Sequence, residues 1–162
     1  MNCDRYCNTP AGPAQIGGLE RSPSSRSLRS RFQRILGFAH IRSSALSQLP
    51  YRSAVAGSSA GAPWCAYFVS WASQQAGLPL GDSGQGLGSV SQITDWAQRT
   101  GRLLPPGSAP QPGDVILYGD RHVGLVESVA PDGSLTTVEG NYRNQVSRVH
   151  RSPSEATGFV RL

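Results

Sequence analysis

Apolar residues at helical spacing predict a helix in the middle of the chain. The helix runs from about Pro63 to Gln75 and ends at Gly77. Small residues lead into its start, where proline suits the first turn because its missing N–H would have no partner there. The inward positions at i, i+3, i+4, i+7 and i+11 are Cys65, Phe68, Val69, Ala72 and Ala76. The pattern therefore places Cys65 in the first turn, facing inward.

Two further helices are predicted on either side of it. One runs from about Ser89 to Arg99 and is ended by Gly101; its inward residues are Val90, Ile93 and Ala97. Upstream, the apolar residues of Ala45–Leu49 end at Pro50 and are a candidate for the first helix of the domain.

After the proline-rich stretch LLPPGSAPQPGD the pattern becomes that of β-strands. The predicted strands are Val115–Tyr118, His122–Val129 and Leu135–Asn141, with PDGS as the turn between the last two. GFVRL near the end is a candidate to close the sheet. Because helices come first and antiparallel strands follow, the order indicates an α+β fold.

The front of the chain differs in composition. Residues 1 to about 27 are rich in Pro, Gly, Ser and Arg, which predicts a flexible arm, and they lack the apolar core of a secretory signal peptide. Residues 28–40 have the pattern of a basic amphipathic helix, which either packs on the domain or contacts a membrane surface or a protein partner. We expect residues 1–40 to form a flexible basic segment and residues 41–162 to form the domain.

Charge and cysteine content exclude several classes of protein. Residues 1–60 hold eight arginines against Asp4 and Glu20, whereas residues 61–162 hold seven arginines against eight acids. The body therefore has no basic face for nucleic acid, and no apolar run approaches the roughly 20 residues of a membrane span. Cys3 and Cys7 have no second pair or histidine cluster nearby to complete a zinc site.

Cys65 can be a nucleophile or a small buried residue. The positive end of the helix dipole and the free N–H groups of a first turn favour the thiolate form. The same N–H groups can bind the oxyanion of a tetrahedral intermediate. A free cysteine is more commonly a small apolar core residue, so this position alone does not identify a site.

Strand pairing adds three polar residues on one face. If Asp132-Gly133 is a two-residue turn, Gly124 lies opposite Asn141, and His122, Glu139 and Asn141 point the same way. Asn141 would be diagonal to His122 and within reach of it, unless a bulge interrupts the pairing. A thiol nucleophile requires such a histidine, with a carboxylate or amide to orient its ring. Alone, each of the three is more often an ordinary strand or turn residue.

Four motifs at this order and spacing resemble one known family. The motifs WCAYFVSW, QPGDVILY, HVGLVESV and LTTVEGN make residues 41–162 similar to CHAP domains, which are cysteine, histidine-dependent amidohydrolases and peptidases. The resemblance implies a papain-like α+β fold and cleavage of amide bonds in peptidoglycan stem peptides or crossbridges, as in bacterial wall hydrolases and phage lysins. It assigns the nucleophile to Cys65, the base to His122, and supporting roles to Glu139 and Asn141. We favour Glu139 as the group that orients His122, because a carboxylate best stabilises imidazolium.

The resemblance also sets expectations for ligands. Trp64, Tyr67 and Tyr142 are candidates to line the substrate cleft, although aromatic residues near a helix start are more often core. No cofactor or catalytic metal is implied, and AVAGSSAGAPW lacks the carboxylates of the calcium loop that some relatives carry there. We expect a monomer that acts on peptidoglycan at the cell wall, in the periplasm or as a secreted protein, although no signal peptide is visible.

Two functions other than amide hydrolysis are compatible with the same sequence features. The first is a non-catalytic cell-wall-binding or assembly module of the same fold, against which the intact set of four site residues argues. The second is an interaction or delivery protein that acts through its basic front segment.

Overall fold

A computed structural model describes residues 49–53, 61–105 and 107–162, together with Ser30, Val55 and Gly57. The predicted arm at residues 1–27, with Cys3 and Cys7, lies outside these residues. So do the predicted helix at 28–40, except for Ser30, and the predicted helix at 45–49, except for its last residue.

Three α-helices lie in the described part of the chain. They are α1 (Leu49–Arg52), α2 (Cys65–Gln75) and α3 (Val90–Arg99). Helix α2 begins two residues later than predicted, so that Cys65 is its first residue and Trp64 precedes it without a side-chain cap. Helix α3 begins where Ser89 Oγ accepts a hydrogen bond from the Gln92 N–H, the usual way to satisfy a first-turn donor. None of these helices is long and apolar enough to cross a membrane.

Six antiparallel strands form one sheet in the order β1-β6-β2-β3-β4-β5. They are β1 (Leu103–Leu104), β2 (Val115–Tyr118), β3 (His122–Val129), β4 (Leu135–Tyr142), β5 (Gln145–Arg151) and β6 (Gly158–Val160). A 3₁₀ turn at Pro153–Glu155 connects β5 to β6. The sheet confirms the predicted α+β class and adds β1 and β5, which the sequence pattern did not reveal.

The predicted pairing of β3 with β4 is wrong in register. The turn between them has three residues, because Ala130 and Ser134 close it, and a bulge then interrupts the ladder between Val126 and Ser128. Each irregularity shifts the pairing by one position, so together they leave the same side chains on each face. Leu125 pairs with Val138, and Gly124 consequently lies against Glu139 rather than Asn141.

Two apolar clusters cover the two faces of the sheet. The helices pack on one face, where Cys65 joins a cluster that includes Phe68 and Val138. A smaller cluster on the other face contains Ile116, Val126, Leu135, Ala156 and Phe159, with Tyr118 packed against it. Gly140 allows β4 to approach α2, since a Cβ there would lie 2.6 Å from Phe68 Cγ. This close approach places the start of α2 beside the ends of β3 and β4.

Candidate active site

Cys65 is a free thiol at the first residue of α2 and is only 4% exposed. Its side chain interacts with that of His122. Trp64, just before it, is held by a stacked contact with Tyr51 and by a hydrogen bond from Nε1 to Asn144 Oδ1 at 3.4 Å. Trp64 provides no side-chain cap for the first-turn N–H groups of α2.

His122 begins β3 and is held from two sides. Its Nε2 lies 2.8 Å from Glu139 Oε2, and its ring stacks on Tyr118, its partner across the ladder, at a centroid distance of 5.7 Å. Since Nε2 faces Glu139, Nδ1 is the nitrogen left for Cys65. Burial lowers the pKa of His122, but hydrogen bonds with Cys65 and Glu139 outweigh it and raise that pKa to about 9. The imidazole is therefore protonated near neutral pH.

Glu139 is completely buried and both of its carboxylate oxygens are occupied. Oε1 accepts hydrogen bonds from Tyr118 Oη at 2.9 Å, Thr137 Oγ1 at 2.7 Å and Arg151 Nε at 3.0 Å. Oε2 accepts from Arg151 Nη2 at 2.9 Å and contacts His122. Burial raises the pKa of this carboxyl, yet the hydrogen bonds from His122, Arg151 and the two hydroxyls bring it down to about 2. Glu139 is thus ionised and fixed in one orientation.

Arg151 is a part of this network that the sequence interpretation missed. Its guanidinium binds Glu139 through two nitrogens and stacks over the rings of Tyr118, at 4.8 Å, and Tyr142, at 5.5 Å. Its third nitrogen, Nη1, binds Glu155 at 3.0 Å. Arg151 ends β5, and because that strand was not predicted, no signal placed this arginine next to the carboxylate.

Asn141 does not contact the imidazole through a ring nitrogen, because Glu139 and Cys65 occupy both. Its backbone has φ 61°, in the left-handed region, where the β4–β5 ladder is interrupted between Glu139 and Tyr142. Within the described part of the chain, its side chain makes no hydrogen bond. Asn141 instead lies in the wall of an adjoining cavity.

That cavity, here called the arginine-lined cavity, has a volume of about 660 Å³. Its walls are the β2–β3 turn, the β4–β5 turn and the segment after β5. The lining residues are Tyr118, Gly119, Arg121, His122, Asn141, Tyr142, Arg143, Arg151, Glu155 and Thr157. His122 therefore borders both Cys65 and an open, positively charged space.

The three aromatic residues predicted for the cleft have different surroundings. Tyr142 lines the arginine-lined cavity. Trp64 is 4% exposed and belongs to the core, which leaves little of its surface for a substrate. Tyr67 is 6% exposed and borders a second cavity of about 360 Å³ next to the start of α3. Among the residues that the structure describes, no group of three His, Cys, Asp or Glu side chains could hold a metal ion.

Comparison with family models gives a match over the middle of the chain. The family model described as the CHAP domain matches residues 57–141, slightly more than half of the chain, and its span includes Cys65, His122, Glu139 and Asn141. No curated protein and no solved structure matches the chain significantly.

Proposed function

The chain belongs to the CHAP domain family of papain-like peptidoglycan hydrolases and amidases, and on that premise we propose that it is a cysteine amidase or endopeptidase. Its substrates would be amide bonds in peptidoglycan stem peptides or crossbridges. The observation that carries the proposal is the continuous line of contacts from Cys65 through His122 to Glu139, at the start of a helix.

In the acylation step, the Cys65 thiolate attacks the carbonyl carbon of the scissile amide. The first-turn N–H groups of α2 stabilise the oxyanion. His122, protonated in the resting enzyme, gives its proton to the amide nitrogen as the C–N bond breaks, so that the amine leaves and a thioester remains on Cys65. The raised pKa of His122 supports this role as a proton donor.

In the deacylation step, neutral His122 removes a proton from water, which attacks the thioester. The C–S bond breaks, a carboxylic acid is released and the thiolate–imidazolium pair is restored. Glu139 orients the ring throughout through its contact with Nε2, while Tyr118, Thr137 and Arg151 keep Glu139 in place. Asn141 is assigned to the substrate side of the site.

The remaining proposals concern the whole chain. We propose that residues 41–162 are the catalytic domain and residues 1–40 a separate basic segment. The protein would act on the cell wall, in the periplasm or outside the cell, as a monomer of bacterial or phage origin. The polar network around His122 favours an enzyme over a non-catalytic wall-binding module, because such a module has no use for an oriented imidazole beside a thiol.

Purified peptidoglycan provides the test. We expect wild-type protein to release new amino groups from it and the Cys65→Ala variant to release none. A Cys3→Ala/Cys7→Ala double variant is the matched control, since it removes the other two thiols and should retain the activity. Equal, negligible release by the wild type and Cys65→Ala would contradict the enzymatic proposal and favour the wall-binding alternative.

A further inference from the structure

The arginine-lined cavity holds more positive charge than the Cys65–His122–Glu139 site uses. Three arginines and one carboxylate line it. Arg151 is occupied by Glu139 and Glu155, and Glu155 is occupied in turn by Arg151 and by the Ser152 backbone N–H. Arg151 therefore already neutralises Glu155, the carboxylate in the cavity wall. The positive charge that remains belongs to Arg121 and Arg143.

These two arginines lie on neighbouring hairpin turns and are exposed. In the described residues, no hydrogen bond or ion pair engages the guanidinium of Arg121. The guanidinium of Arg143 lies over the Tyr142 ring at 5.6 Å, a contact that leaves its N–H groups free to bind a ligand. Asn141 lines the same cavity and carries a side-chain amide. Two guanidinium groups and an amide N–H suit a carboxylate, because guanidinium binds carboxylate oxygens in pairs.

The position of the cavity indicates which part of a substrate enters it. His122 forms part of the cavity wall. Cys65 is not one of the residues that line the cavity in the described part of the chain. The proposed mechanism has His122 deliver its proton to the departing amine, so the leaving half of the substrate lies next to the imidazole. The acyl half remains on the thiol. A ligand in this cavity therefore belongs to the leaving half.

We propose that the arginine-lined cavity binds a free carboxylate on the substrate residue whose amino group is released, with Arg121 and Arg143 as the determinants of this specificity. The inference rests on the proposed function, because the leaving half is defined by that reaction. It restricts the substrates to peptides that carry an unblocked carboxylate on the amine side of the scissile bond. Peptides with a carboxamide at that position would be poor substrates.

The test compares two soluble muropeptides that differ only in that group, a carboxylate or a carboxamide, and that contain the bond cut in whole peptidoglycan. For the wild type we expect KM to be about tenfold lower for the carboxylate. In the Arg121→Gln/Arg143→Gln variant the two KM values should become nearly equal, with kcat little changed, since neither side chain touches the reacting atoms. Higher salt should reduce the wild-type preference.

The Arg99→Gln/Arg148→Gln variant is the matched control, because it also removes two positive charges, from surface ion pairs with Asp82 and Glu127, and should keep the wild-type preference. Equal KM values for the two muropeptides in the wild type would overturn the inference while leaving the hydrolase proposal intact. Titration calorimetry of Cys65→Ala with each muropeptide gives a reading without turnover. The carboxylate should also bind more tightly in this titration, the preference should disappear in Cys65→Ala/Arg121→Gln/Arg143→Gln, and its absence would overturn the inference.

Discussion

Glu139 shows how a buried carboxylate can be both ionised and restrained. Five contacts fill its oxygens, and the two from Arg151 neutralise its charge. Because the Glu139–Arg151 pair has no net charge, Glu139 holds His122 more by a directed hydrogen bond than by long-range electrostatic attraction. Only the Nε2 contact at 2.8 Å is directed at the imidazole, so that contact determines its orientation.

Replacing Glu139 by glutamine should therefore shift the pH dependence of the reaction. In the proposed mechanism the active form needs protonated His122, so kcat/KM of the wild type should fall as the pH rises through about 9. Glu139→Gln removes an ionised acceptor that raises the pKa of His122, which should move this alkaline limb toward neutral pH. We expect activity at pH 7 to drop about tenfold to a hundredfold, mainly because the imidazole also loses the ionised acceptor that fixes its orientation.

Glu127→Gln is the control for this experiment, because Glu127 is a carboxylate on the same sheet whose partner is the surface residue Arg148. It should keep the wild-type pH profile. An unchanged alkaline limb in Glu139→Gln would show that Glu139 does not set the protonation of His122.

Gly124 is a second residue on which the site depends. A Cβ at this position would lie 2.7 Å from Glu139 Cγ and 3.3 Å from the Val138 carbonyl oxygen, so Gly124→Ala should push the carboxylate away from His122. We expect a large loss of kcat with a far-ultraviolet circular dichroism spectrum like that of the wild type. Ser128→Ala, an exposed change on the same strand, should retain full activity. Full activity in Gly124→Ala would contradict the role of the Glu139 position.

At the scale of elements, the order and type of most helices and strands could be predicted from periodicity. Helix α2 and strand β3 have clear apolar spacing, and Gly77 and Gly101, with φ of 80° and 68°, end their helices as expected. Strand β5 escaped prediction because arginines and polar residues occupy most of it and its turn, Arg143-Asn144, reaches positive φ without glycine. The network around Glu139 was missed for the same reason, since Arg151 reaches it only through β5.

His122 and Glu139 were predicted correctly to share a face of β3 and β4, although on a wrong register. A three-residue turn and a bulge near Glu127 each moved the pairing by one position. The total shift of two positions leaves the same side chains on each face of the sheet. Alternation along a strand is determined by the backbone, whereas turn length and bulges depend on local geometry that the residue pattern does not encode. That His122 and Glu139 share a face was accessible from sequence, but the predicted register made Asn141 rather than Glu139 the diagonal neighbour of His122.

The packing of α2 on β4 positions Cys65 relative to His122. Gly140→Ala would place a methyl group against Phe68, so helix and strand must separate. We expect a loss of about 1–3 kcal/mol in the free energy of unfolding, together with reduced activity because Cys65 moves away from His122.

A thermodynamic cycle with Phe68→Ala makes this test specific. Because alanine lacks Cγ and Cδ1, two of the three Phe68 atoms that the added methyl group would meet, the Gly140→Ala cost should shrink in that background, and the two changes should not be additive. Additive costs in denaturant unfolding would contradict a direct clash between strand and helix.

At the scale of the whole molecule, the charge of the chain is uneven. Residues 61–162 carry positive charge around the arginine-lined cavity and in surface ion pairs such as Arg99–Asp82, whereas the first 60 residues hold a net excess of arginines. The resemblance to CHAP domains was accessible from motifs in the body of the chain, and the match at residues 57–141 confirms it.

The His122–Glu139 pair should also link stability to pH. The pKa of His122 is raised from 6.5 to about 9 in the folded state, so its contribution is complete below about pH 6.5 and is lost as the pH rises through 9. We expect the free energy of unfolding to fall across this interval by more in the wild type than in His122→Gln. His150→Gln, at an exposed histidine of β5, should keep the wild-type slope, and equal slopes in all three proteins would contradict the linkage.

Mass spectrometry of the muropeptides released from purified peptidoglycan tests the central claim most directly. If Cys65 is the nucleophile of an amide hydrolase, the wild type will produce a new pair of fragments whose masses sum to the parent plus one water, and Cys65→Ala will produce none. The same fragments from both proteins, or no new fragments from the wild type, would contradict it.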